Sequence, residues 1–326
     1  MRVGFLLCYN PNMILVTGAT GFIGRALVRQ LSETGEQVRV LLRSSPNSPR
    51  LPRSVPVEVA VVSLNDARGV HAALRGVDQI YHLASASSQG RRGNLLSTDI
   101  EGTRVLAQVA NEAGIQRLIY LSHIGADRAS AFPIQKAKGI AEEHIRRSGV
   151  PYTIIRSSIV FGPEDRFTNN LARLMRAIPI LFPIPSDGRS LLQPLWVEDL
   201  VTCLMWALQN SEMVNQTYEI GGGEYFTLRQ VLETLMNVTN TRRLLVPLPT
   251  PYMRALFVML DSLPSFKLST YWLDYVAVNR TCPVGNISRT FGLMPARFAY
   301  RLEYLARKPW YSEFAKRIQE TFRVSR

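Results

Sequence analysis

Short apolar runs alternate with segments of helical periodicity over the first half of the chain. Continuous apolar runs indicate buried parallel strands, whereas apolar residues spaced three or four positions apart indicate amphipathic helices. The predicted strands are 13–17, 37–42, 57–62, 79–83, 117–122 and 152–156. The predicted helices between them are 21–34, 65–75, 98–113 and 135–148. This alternation predicts an α/β fold built on a doubly wound parallel sheet.

The regular alternation ends near residue 165. The later pattern predicts helices over 168–177 and 227–236, and a further helix that ends at residue 208. It also predicts a Pro-rich segment at 179–185, a strand at 218–220, and a helical, irregular last third. We therefore expect three parts. They are an N-terminal extension over 1–12, a first domain over 13–165 to which later segments return, and a smaller C-terminal α/β lobe over 166–326 with a basic helical tail.

Composition and charge narrow the class of protein. Of 326 residues, 46% are hydrophobic and 19% charged, so the chain has enough apolar surface for a large core. The formal net charge is +13, and residues 241–326 carry 14 Lys and Arg against 5 Asp and Glu. Such a basic surface is either simply solvated or meets a phosphate-rich ligand, an acidic partner or an anionic membrane. Nucleic acid is disfavoured, because no known binding module accompanies the charge.

The cysteine positions and the hydropathy indicate the cellular compartment and the relation to the membrane. Cys8, Cys203 and Cys282 are far apart and lack the spacing of metal ligands. We therefore expect no metal site, no disulfide framework and a reducing, cytoplasmic compartment. The sequence has no apolar run long enough for a transmembrane helix, so we expect any membrane contact to be peripheral, at the inner face.

Three glycines, Gly18, Gly21 and Gly24, follow the first predicted strand in the spacing GxxGxxG and open the first predicted helix. In a dinucleotide-binding loop the first permits a tight turn, the second lets the backbone approach the pyrophosphate, and the third lets the helix pack on the strand. The helix N-terminus then offers unpaired N–H groups to the phosphates. Because strand, loop, helix and second strand are all present, the motif predicts a Rossmann-type domain that binds a nicotinamide dinucleotide.

The end of the second predicted strand bears on the choice of cofactor. An acidic residue there would bind the adenosine ribose hydroxyls of NAD(H). This chain has Arg43 instead, and a guanidinium pairs with the 2′-phosphate of NADP(H) in a bidentate manner. We therefore expect NADP(H) rather than NAD(H). The alternative is that Arg43 is an ordinary surface residue at a strand end.

Several blocks of sequence carry a resemblance to a known family. They are 17–24, His82-Leu83-Ala84, Gly102-Thr103, Leu121-Ser122-His123, Ala141-Glu142, Arg156, 160–162 and 193–199. With them the sequence resembles the extended, atypical branch of the short-chain dehydrogenase/reductase superfamily, which includes the epimerase/dehydratase type. Two segments, 159–169 (IVFGPEDRFTN) and 193–199 (QPLWVED), more specifically resemble the nucleotide-binding accessory subunit of respiratory complex I and its bacterial relatives. The resemblance covers about 13–236 well.

The resemblance implies which residues contact the cofactor. Thr20, Phe22 and Ile23 line the loop over the pyrophosphate, together with the glycines. Leu64 and Asn65 lie near the adenine, and Ala84 and Ser85 pass under the cofactor. Ser122 lies near the nicotinamide, and Lys138 holds the nicotinamide ribose.

Typical family members carry the motif Tyr-x-x-x-Lys, in which the tyrosine exchanges the substrate proton and the lysine lowers the tyrosine pKa. Lys138 is followed by Ala141-Glu142 at the family spacing, and Ile134 stands four residues before it. The other register pairs Lys136 with Phe132, so neither register supplies a phenol. The usual catalytic tyrosine is thus replaced by Ile134, and whether the chain is an enzyme stays open.

The candidate catalytic residues are Ser122, Lys138 and His123. Histidine titrates near neutral pH, so His123 and His82 are considered as proton carriers, but we favour His82 as a packed strand-end residue and His123 as a supporting or solvent-facing one. Glu142 and Glu143 are read as one face of a helix rather than as a paired catalytic site.

Three interpretations share this cofactor site. The first is an accessory or assembly subunit that holds NADPH within a membrane-associated electron-transfer complex. The second is an NADPH-dependent reductase or isomerase of a small hydrophobic or quinone-like substrate with a non-standard proton donor. The third is a sensor of the NADP(H) ratio that binds a partner. Segments 252–260 and 271–278 mix apolar and basic residues and suit a substrate lid, a membrane surface or ordinary packing.

Overall fold

A computed structural model describes residues 13–44, 51, 55–87, 93–178, 180–261 and 270–306. The predicted extension over 1–12 and the end of the basic tail, 307–326, lie outside the described residues.

The first half of the chain alternates strands and helices. Its elements are β1 (Met13–Thr17), α1 (Phe22–Glu33), β2 (Gln37–Leu42), β3 (Glu58–Val61), α2 (Ala67–Ala73), β4 (Gln79–His82), a π-helical segment (Leu96–Glu101) continuous with α3 (Gly102–Glu112), β5 (Arg117–His123), α4 (Pro133–Arg147) and β6 (Tyr152–Ser157). The predicted third strand and second helix are each shorter in the structure, and the helix predicted from 98 begins in the π-helical segment.

The second half contains shorter strands between helices. Its elements are β7 (Val160–Phe161), α5 (Phe167–Ala177), β8 (Leu181–Pro185), β9 (Leu191–Leu192), β10 (Leu195–Trp196), α6 (Val197–Gln209), β11 (Gln216–Ile220), β12 (Phe226–Thr227), α7 (Leu228–Thr239), β13 (Leu244–Leu248), α8 (Thr250–Asp261), α9 (Thr270–Val276) and α10 (Asn286–Phe291). Within the part of the chain that the structure describes, 3₁₀-helical turns lie at Ser211–Met213, Phe298–Arg301 and Glu303–Leu305.

Seven parallel strands form the central sheet in the order β11-β6-β5-β4-β1-β2-β3. The order reverses direction at β1, as in a doubly wound Rossmann sheet. β11 comes from the second half of the chain and pairs with β6. Because all seven strands are parallel, their carboxyl ends share one edge, and the segments after β1, β4 and β5 meet there.

The central strands of the sheet are buried on both faces, whereas the edge strand β3 exposes Val59 and Val61. Ile14 and Val16 of β1 pack with α1 and α6, whereas Leu15, between them, packs with α2, α3 and α4. This explains why the strands are continuous apolar runs rather than alternating ones. A third apolar core joins α5, α7, α8 and α9, and it includes Met253 and Phe257 of the amphipathic segment 252–260. Packing thus accounts for one face of that segment, while Tyr252, Val258 and Met259 are exposed.

Strand β13 lies in a region that the sequence pattern predicted to be helical and irregular, so that prediction was wrong for 244–248. β13 pairs in parallel with β8, which itself lies in the Pro-rich segment. Proline is tolerated in both because this is a two-stranded sheet, in which each strand is an edge. None of the described helices is long and apolar enough to cross a membrane.

The turn before α5 is held by one buried carboxylate. Asp165 is 4% exposed, and its side chain accepts hydrogen bonds from the backbone N–H of Gly162 (2.9 Å) and Thr168 (2.6 Å). The hydroxyls of Thr168 (2.5 Å) and Tyr304 (3.1 Å) also donate to it. Asp165 therefore fixes the segment that follows β7 and ties it to the end of the C-terminal lobe.

We expect Asp165→Ala to lower the free energy of unfolding by about 1–3 kcal/mol, because it leaves buried donors without an acceptor. Asp187→Ala is the matched control. Asp187 pairs with Arg189 at the surface, where both side chains are more than half exposed, so its loss is expected to change stability by about 0.5 kcal/mol or less. Urea unfolding measures both values. Equal effects of the two substitutions would contradict this account of Asp165.

Candidate functional site

The loop between β1 and α1 packs directly on the end of β4. Gly18 has a φ of +74°, and a Cβ atom there would lie 2.7 Å from the backbone nitrogen of Ala84. A Cβ atom at Gly24 would overlap the carbonyl oxygen of Gly18. The loop is therefore too tight for a side chain at either position, and the positive φ at Gly18 further favours glycine there.

Helix α1 begins without a capping side chain. Gly21 is its N-cap residue in an extended conformation, no side chain caps the helix, and its first turn contains no acidic residue. The first N–H groups of a helix have no partner within the helix, and the helix dipole makes this end positive. In this protein Thr20, Phe22 and Ile23 flank the N-terminus of α1. The site fits a pyrophosphate that takes these N–H groups as donors.

The segment that follows β7 contacts this loop. Arg25 of α1 donates to the carbonyl oxygen of Thr20 (2.5 Å) and forms an ion pair with Glu164, which follows β7. The ring of Phe22 lies against Gly162, where a Cβ atom would be 3.0 Å from it. The sequence analysis did not identify the Arg25–Glu164 pair, which joins segments 139 residues apart.

The residues expected near the adenine and the 2′-phosphate lie beyond the carboxyl ends of β2 and β3. Arg43 directly follows β2 and is exposed. Leu64 packs against Gly102, and the side-chain amide of Asn65 donates to the hydroxyl of Ser97 (2.6 Å). Leu64 and Asn65 thus form a wall between β3 and the start of α3.

Ala84 and Ser85 follow β4 and face the phosphate loop. The backbone N–H of Ala84 donates to the hydroxyl of Thr17 (3.3 Å), and the hydroxyl of Ser85 donates to that of Ser87 (3.0 Å). The next N–H, that of Ala86, donates to the carboxylate of Asp99 (2.8 Å). The segment after β4 is therefore held by side chains at both ends.

Lys138 lies on the buried face of α4. Its Nζ donates to the carbonyl oxygen of Leu121 (3.2 Å), lies 3.5 Å from Asp99 and lies 4.8 Å from the centroid of the Tyr120 ring. Burial lowers the pKa of Lys138, while Asp99 and Glu142 oppose that effect. An ammonium group has three donors. Within the described residues one is hydrogen-bonded to Leu121 and Asp99 lies at ion-pair distance, so a donor remains for a ribose hydroxyl.

Asp99 is a candidate site residue that the sequence analysis missed. It is fully buried, and its carboxylate joins Lys138 to the segment after β4. Asp99 stands four residues before Thr103, on the same helix face, and Thr103 was one of the matched family residues. That spacing is the signal that would have identified it.

Ser122 is fully buried, and its hydroxyl donates to Glu142 (2.6 Å). Arg156 binds the same carboxylate through two nitrogens (2.9 and 2.8 Å), and Arg146 adds a further bond (2.8 Å). Both Glu142 and Glu143 lie on α4 as predicted, but Glu142 is buried within a charge network, whereas Glu143 is half-buried. Glu142 stands four residues after Lys138 on the same helix face, and this spacing is the sequence signal that would have identified Glu142 as part of the site. Because its proton is donated to Glu142, Ser122 can only accept a hydrogen bond from a ligand.

Ile134 occupies the place of the missing tyrosine. It is half-buried in the first turn of α4, one helical turn before Lys138, so both side chains lie on one face. Phe132, in the other register, precedes the helix, and Lys136 is exposed. The position next to Lys138 therefore carries a side chain that cannot exchange a proton.

The two candidate histidines differ in their surroundings. His82 is fully buried, with its ring nitrogens bonded to the hydroxyls of Thr17 (2.7 Å) and Thr103 (2.8 Å). Burial, assisted by Lys138, lowers the pKa of His82 to about 3, which fits a packed residue rather than a proton carrier. His123 ends β5, and burial, Lys138 and Arg280 lower its pKa to about 3 as well. Both rings are neutral near pH 7.

The pKa of His82 predicts a pH dependence of stability. An unfolded histidine binds a proton near pH 6.5, whereas the folded ring resists protonation until about pH 3. Stability is therefore lost as the pH falls below 6.5, and we expect His82 to remove about 2 kcal/mol between pH 6.5 and pH 5. Urea unfolding at pH 7, 6 and 5 measures this loss. His82→Gln, which keeps a polar side chain but does not titrate, is expected to lose less stability over this range, and a loss equal to that of the wild type would contradict the assignment.

Comparisons with known proteins support the nucleotide site. Residues 18–169 match a family model described as NAD(P)H-binding. The chain is 30% identical to NADH dehydrogenase [ubiquinone] 1 alpha subcomplex subunit 9, mitochondrial, from Arabidopsis thaliana, over 74% of this chain and 61% of that protein. It thus spans less than two thirds of the length of that relative.

Two bacterial proteins are also similar. Sterol demethylase protein B of Methylococcus capsulatus is 28% identical over 76% of this chain and 81% of that protein. Ceramide reductase of Caulobacter vibrioides is 26% identical over 73% of this chain and 74% of that protein.

The fold is that of known nucleotide-dependent epimerases. The structure of UDP-glucose 4-epimerase from Thermus thermophilus in complex with NAD superposes with a TM-score of 0.68 at 20% identity, covering 90% of this chain and 97% of the epimerase. The glycine loop, the seven-stranded sheet and these relatives agree. The chain contains an NAD(P)H-binding domain, and these similarities support its resemblance to the extended short-chain dehydrogenase/reductase superfamily and to subunit 9 of the NADH dehydrogenase alpha subcomplex.

Proposed function

We propose that this protein holds NADPH as an accessory or assembly subunit of a membrane-associated electron-transfer complex, with little or no turnover. The observation that carries this proposal is Ile134 beside Lys138. The residues that would bind the cofactor are in place, while the residue that would exchange a proton with a carbonyl substrate is not.

The proposed cofactor contacts follow the shared edge of the sheet. The N–H groups at the start of α1 bind the pyrophosphate, and Leu64 and Asn65 lie beside the adenine. Lys138 binds the nicotinamide ribose with its remaining donor, while Asp99 keeps the ammonium oriented. When bound, NADPH supplies a hydride donor. The chain's own residues bind and orient it.

The choice of NADPH over NADH rests on Arg43. It directly follows β2 at the exposed edge, where an acidic residue would bind the ribose hydroxyls of NAD(H). A guanidinium recognises a phosphate through two parallel hydrogen bonds, which gives geometric specificity in addition to charge.

The proposed partner is supported by the relatives and by the charge. The Arabidopsis relative is a subunit of NADH dehydrogenase. The excess of Lys and Arg in 241–326 suits an acidic protein surface or an anionic membrane. We propose a cytoplasmic protein, peripheral to the inner face of a membrane. Gentle isolation of the native protein tests this: we expect stoichiometric NADPH and co-purifying subunits of a membrane complex, and a nucleotide-free protein without such partners would refute the proposal.

A second candidate function is an NADPH-dependent reductase or isomerase of a small hydrophobic or quinone-like substrate. The retained Lys138 and the partly buried phenol of Tyr275 near His123 favour it. The same site would also serve a sensor of the NADP(H) ratio. Steady-state turnover separates the reductase or isomerase from the accessory function.

We expect Arg43→Ala to remove a preference for NADPH over NADH. Hydrogen bonds to a charged group contribute about 1.5–3 kcal/mol, so the NADPH affinity is expected to fall roughly 10- to 100-fold while the NADH affinity changes little. Fluorescence titration measures both constants. Arg147→Ala, which removes an exposed arginine paired with Glu143 on α4, is the control and is expected to leave both unchanged. Equal affinities of the wild type for the two nucleotides would contradict the role of Arg43.

We expect Ile134→Tyr to create carbonyl reduction where the wild type shows little or none. The new phenol would lie one turn from Lys138, and a positioned general acid typically contributes about 10²–10⁴-fold to rate. A gain of at least about tenfold in NADPH oxidation with a reactive ketone is the expected result. Phe132→Tyr, which places a phenol in the other register, is the matched control and is expected to gain nothing. Rapid reduction by the wild type would show that a proton donor is already present.

A further inference from the structure

Three exposed apolar side chains lie together where β8 and β13 begin. Leu181 and Leu244 are directly opposite each other in the two-stranded parallel sheet, and the backbone N–H of Leu244 donates to the carbonyl oxygen of Ile180 (2.9 Å). The side chains of Ile180, Leu181 and Leu244 are 68%, 53% and 64% exposed. We call these three residues the apolar patch. Contiguous apolar side chains on a protein surface mark interaction sites.

The end of α5 lies beside the apolar patch. The Nε of Arg243, the residue before Leu244, donates to the carbonyl oxygen of Met175 on α5 (2.7 Å). Arg176 is the next residue of α5, and its guanidinium donates to the carbonyl oxygen of Leu305 (2.5 Å). These bonds hold α5 against the start of β13, so guanidinium groups from both segments lie near the patch.

The charge on these two segments has one sign. Segments 167–186 and 239–253, which contain the apolar patch, contain no Asp or Glu. Within the described residues no carboxylate, including that of the nearby Glu303, forms an ion pair with any of their arginines. These arginines are Arg173, Arg176, Arg242 and Arg243. The patch is therefore apolar side chains next to four cations whose charge no ion pair offsets.

This combination fits an anionic lipid surface. Apolar side chains enter the boundary between lipid headgroups and acyl chains, while arginines interact with the anionic headgroups. An added β-strand is disfavoured, because Pro183 and Pro185 of β8 and Pro247 of β13 offer no N–H group for pairing. A second copy of this chain is disfavoured too, because it would bring arginines against arginines, and like charges in an interface are unfavourable.

We propose that the apolar patch and the four arginines form a docking surface for an anionic lipid membrane. The proposal rests on the proposed peripheral location at a membrane, and it assigns the contact to the start of β8 and β13 rather than to the basic tail as a whole. None of these residues is among those proposed to bind the nucleotide.

Co-sedimentation of the full chain with lipid vesicles tests this surface. The probes are vesicles of phosphatidylcholine alone and vesicles of phosphatidylcholine with about 30% phosphatidylglycerol. We expect the wild type to bind the anionic vesicles at least about tenfold more tightly, and to bind them less tightly as the salt concentration rises. A wild type that does not bind the anionic vesicles would overturn the proposal.

The double substitution Arg173→Gln with Arg242→Gln tests the cations. It is expected to weaken binding to the anionic vesicles at least about fivefold, because each arginine near an anionic surface contributes to binding. Arg75→Gln with Arg147→Gln is the matched control, since it lowers the net charge by the same amount at exposed positions of the first domain. Equal weakening by both pairs would show that binding follows the overall charge, which would refute a localised surface.

The triple substitution of Ile180, Leu181 and Leu244 by Ser tests the apolar patch. It is expected to weaken binding to the anionic vesicles at least about tenfold, because it removes the side chains that would leave water. All three positions are exposed, so the Tm is expected to stay within about 3 °C of that of the wild type. Should this variant melt much lower, the arginine pair, whose positions are also exposed, still decides the proposal.

The control for the apolar patch is the triple substitution of Val59, Val61 and Met294 by Ser. Each of these side chains is more than half exposed and lies outside the docking surface. This variant is expected to bind the anionic vesicles as the wild type does. Full binding by the patch variant, or the same loss in the control, would show that the patch does not contact lipid.

The outcomes separate this proposal from the proposed function. A chain that binds NADPH but not anionic vesicles refutes the docking surface alone. A chain that binds these vesicles through the patch but holds no NADPH refutes the proposed cofactor function and leaves the docking surface standing. A chain that ignores vesicles but binds an acidic subunit in a manner that requires Arg242 would show that the surface docks a protein, and the lipid proposal would be wrong.

Discussion

The close approach of Gly18 to the end of β4 is the contact on which the rest of the site depends. With no Cβ atom at Gly18 or Gly24, the loop after β1 lies directly on the backbone of Leu83 and Ala84, and α1 can pack on its own strand. This places the open N-terminus of α1 beside the segments that follow β4 and β5. Because the sheet is parallel, all three segments reach the same edge.

Two sets of buried, paired charged side chains lie at the other end of this sheet edge, where the nicotinamide is proposed to bind. Lys138 and Asp99 form one ion pair, and Glu142 with Arg156, Arg146 and Ser122 forms a second network. Removing charges from water is expensive unless each is paired and hydrogen-bonded. Asp99 and Glu142 oppose the lowering of the Lys138 pKa by burial, and the second network commits the proton of Ser122 to Glu142. With Ile134 in place of a phenol, the arrangement suits binding and orientation better than proton transfer.

Local patterns were sufficient to predict the central sheet and the phosphate loop. Strand β1 and helix α1 follow from apolar spacing over a few residues, and the glycine motif is itself local. Strand β13 was not predictable in this way, because it is formed by pairing with β8, more than 60 residues earlier. Asp99 and Glu142 carried a weak local signal, each four residues from a residue already identified. Tyr275 lies in segment 271–278, which the apolar and basic pattern singled out, but its position against His123 arises from the packing of two distant segments and was not predictable.

The most direct test of this account is a crystal structure of the full chain grown with NADPH. The account predicts one nucleotide with its pyrophosphate at the N-terminus of α1, its 2′-phosphate beside Arg43 and its nicotinamide ribose bonded to Lys138. A nucleotide bound elsewhere, or bound in the loop with its ribose away from Lys138, would contradict it, as would a site that stays empty at saturating NADPH.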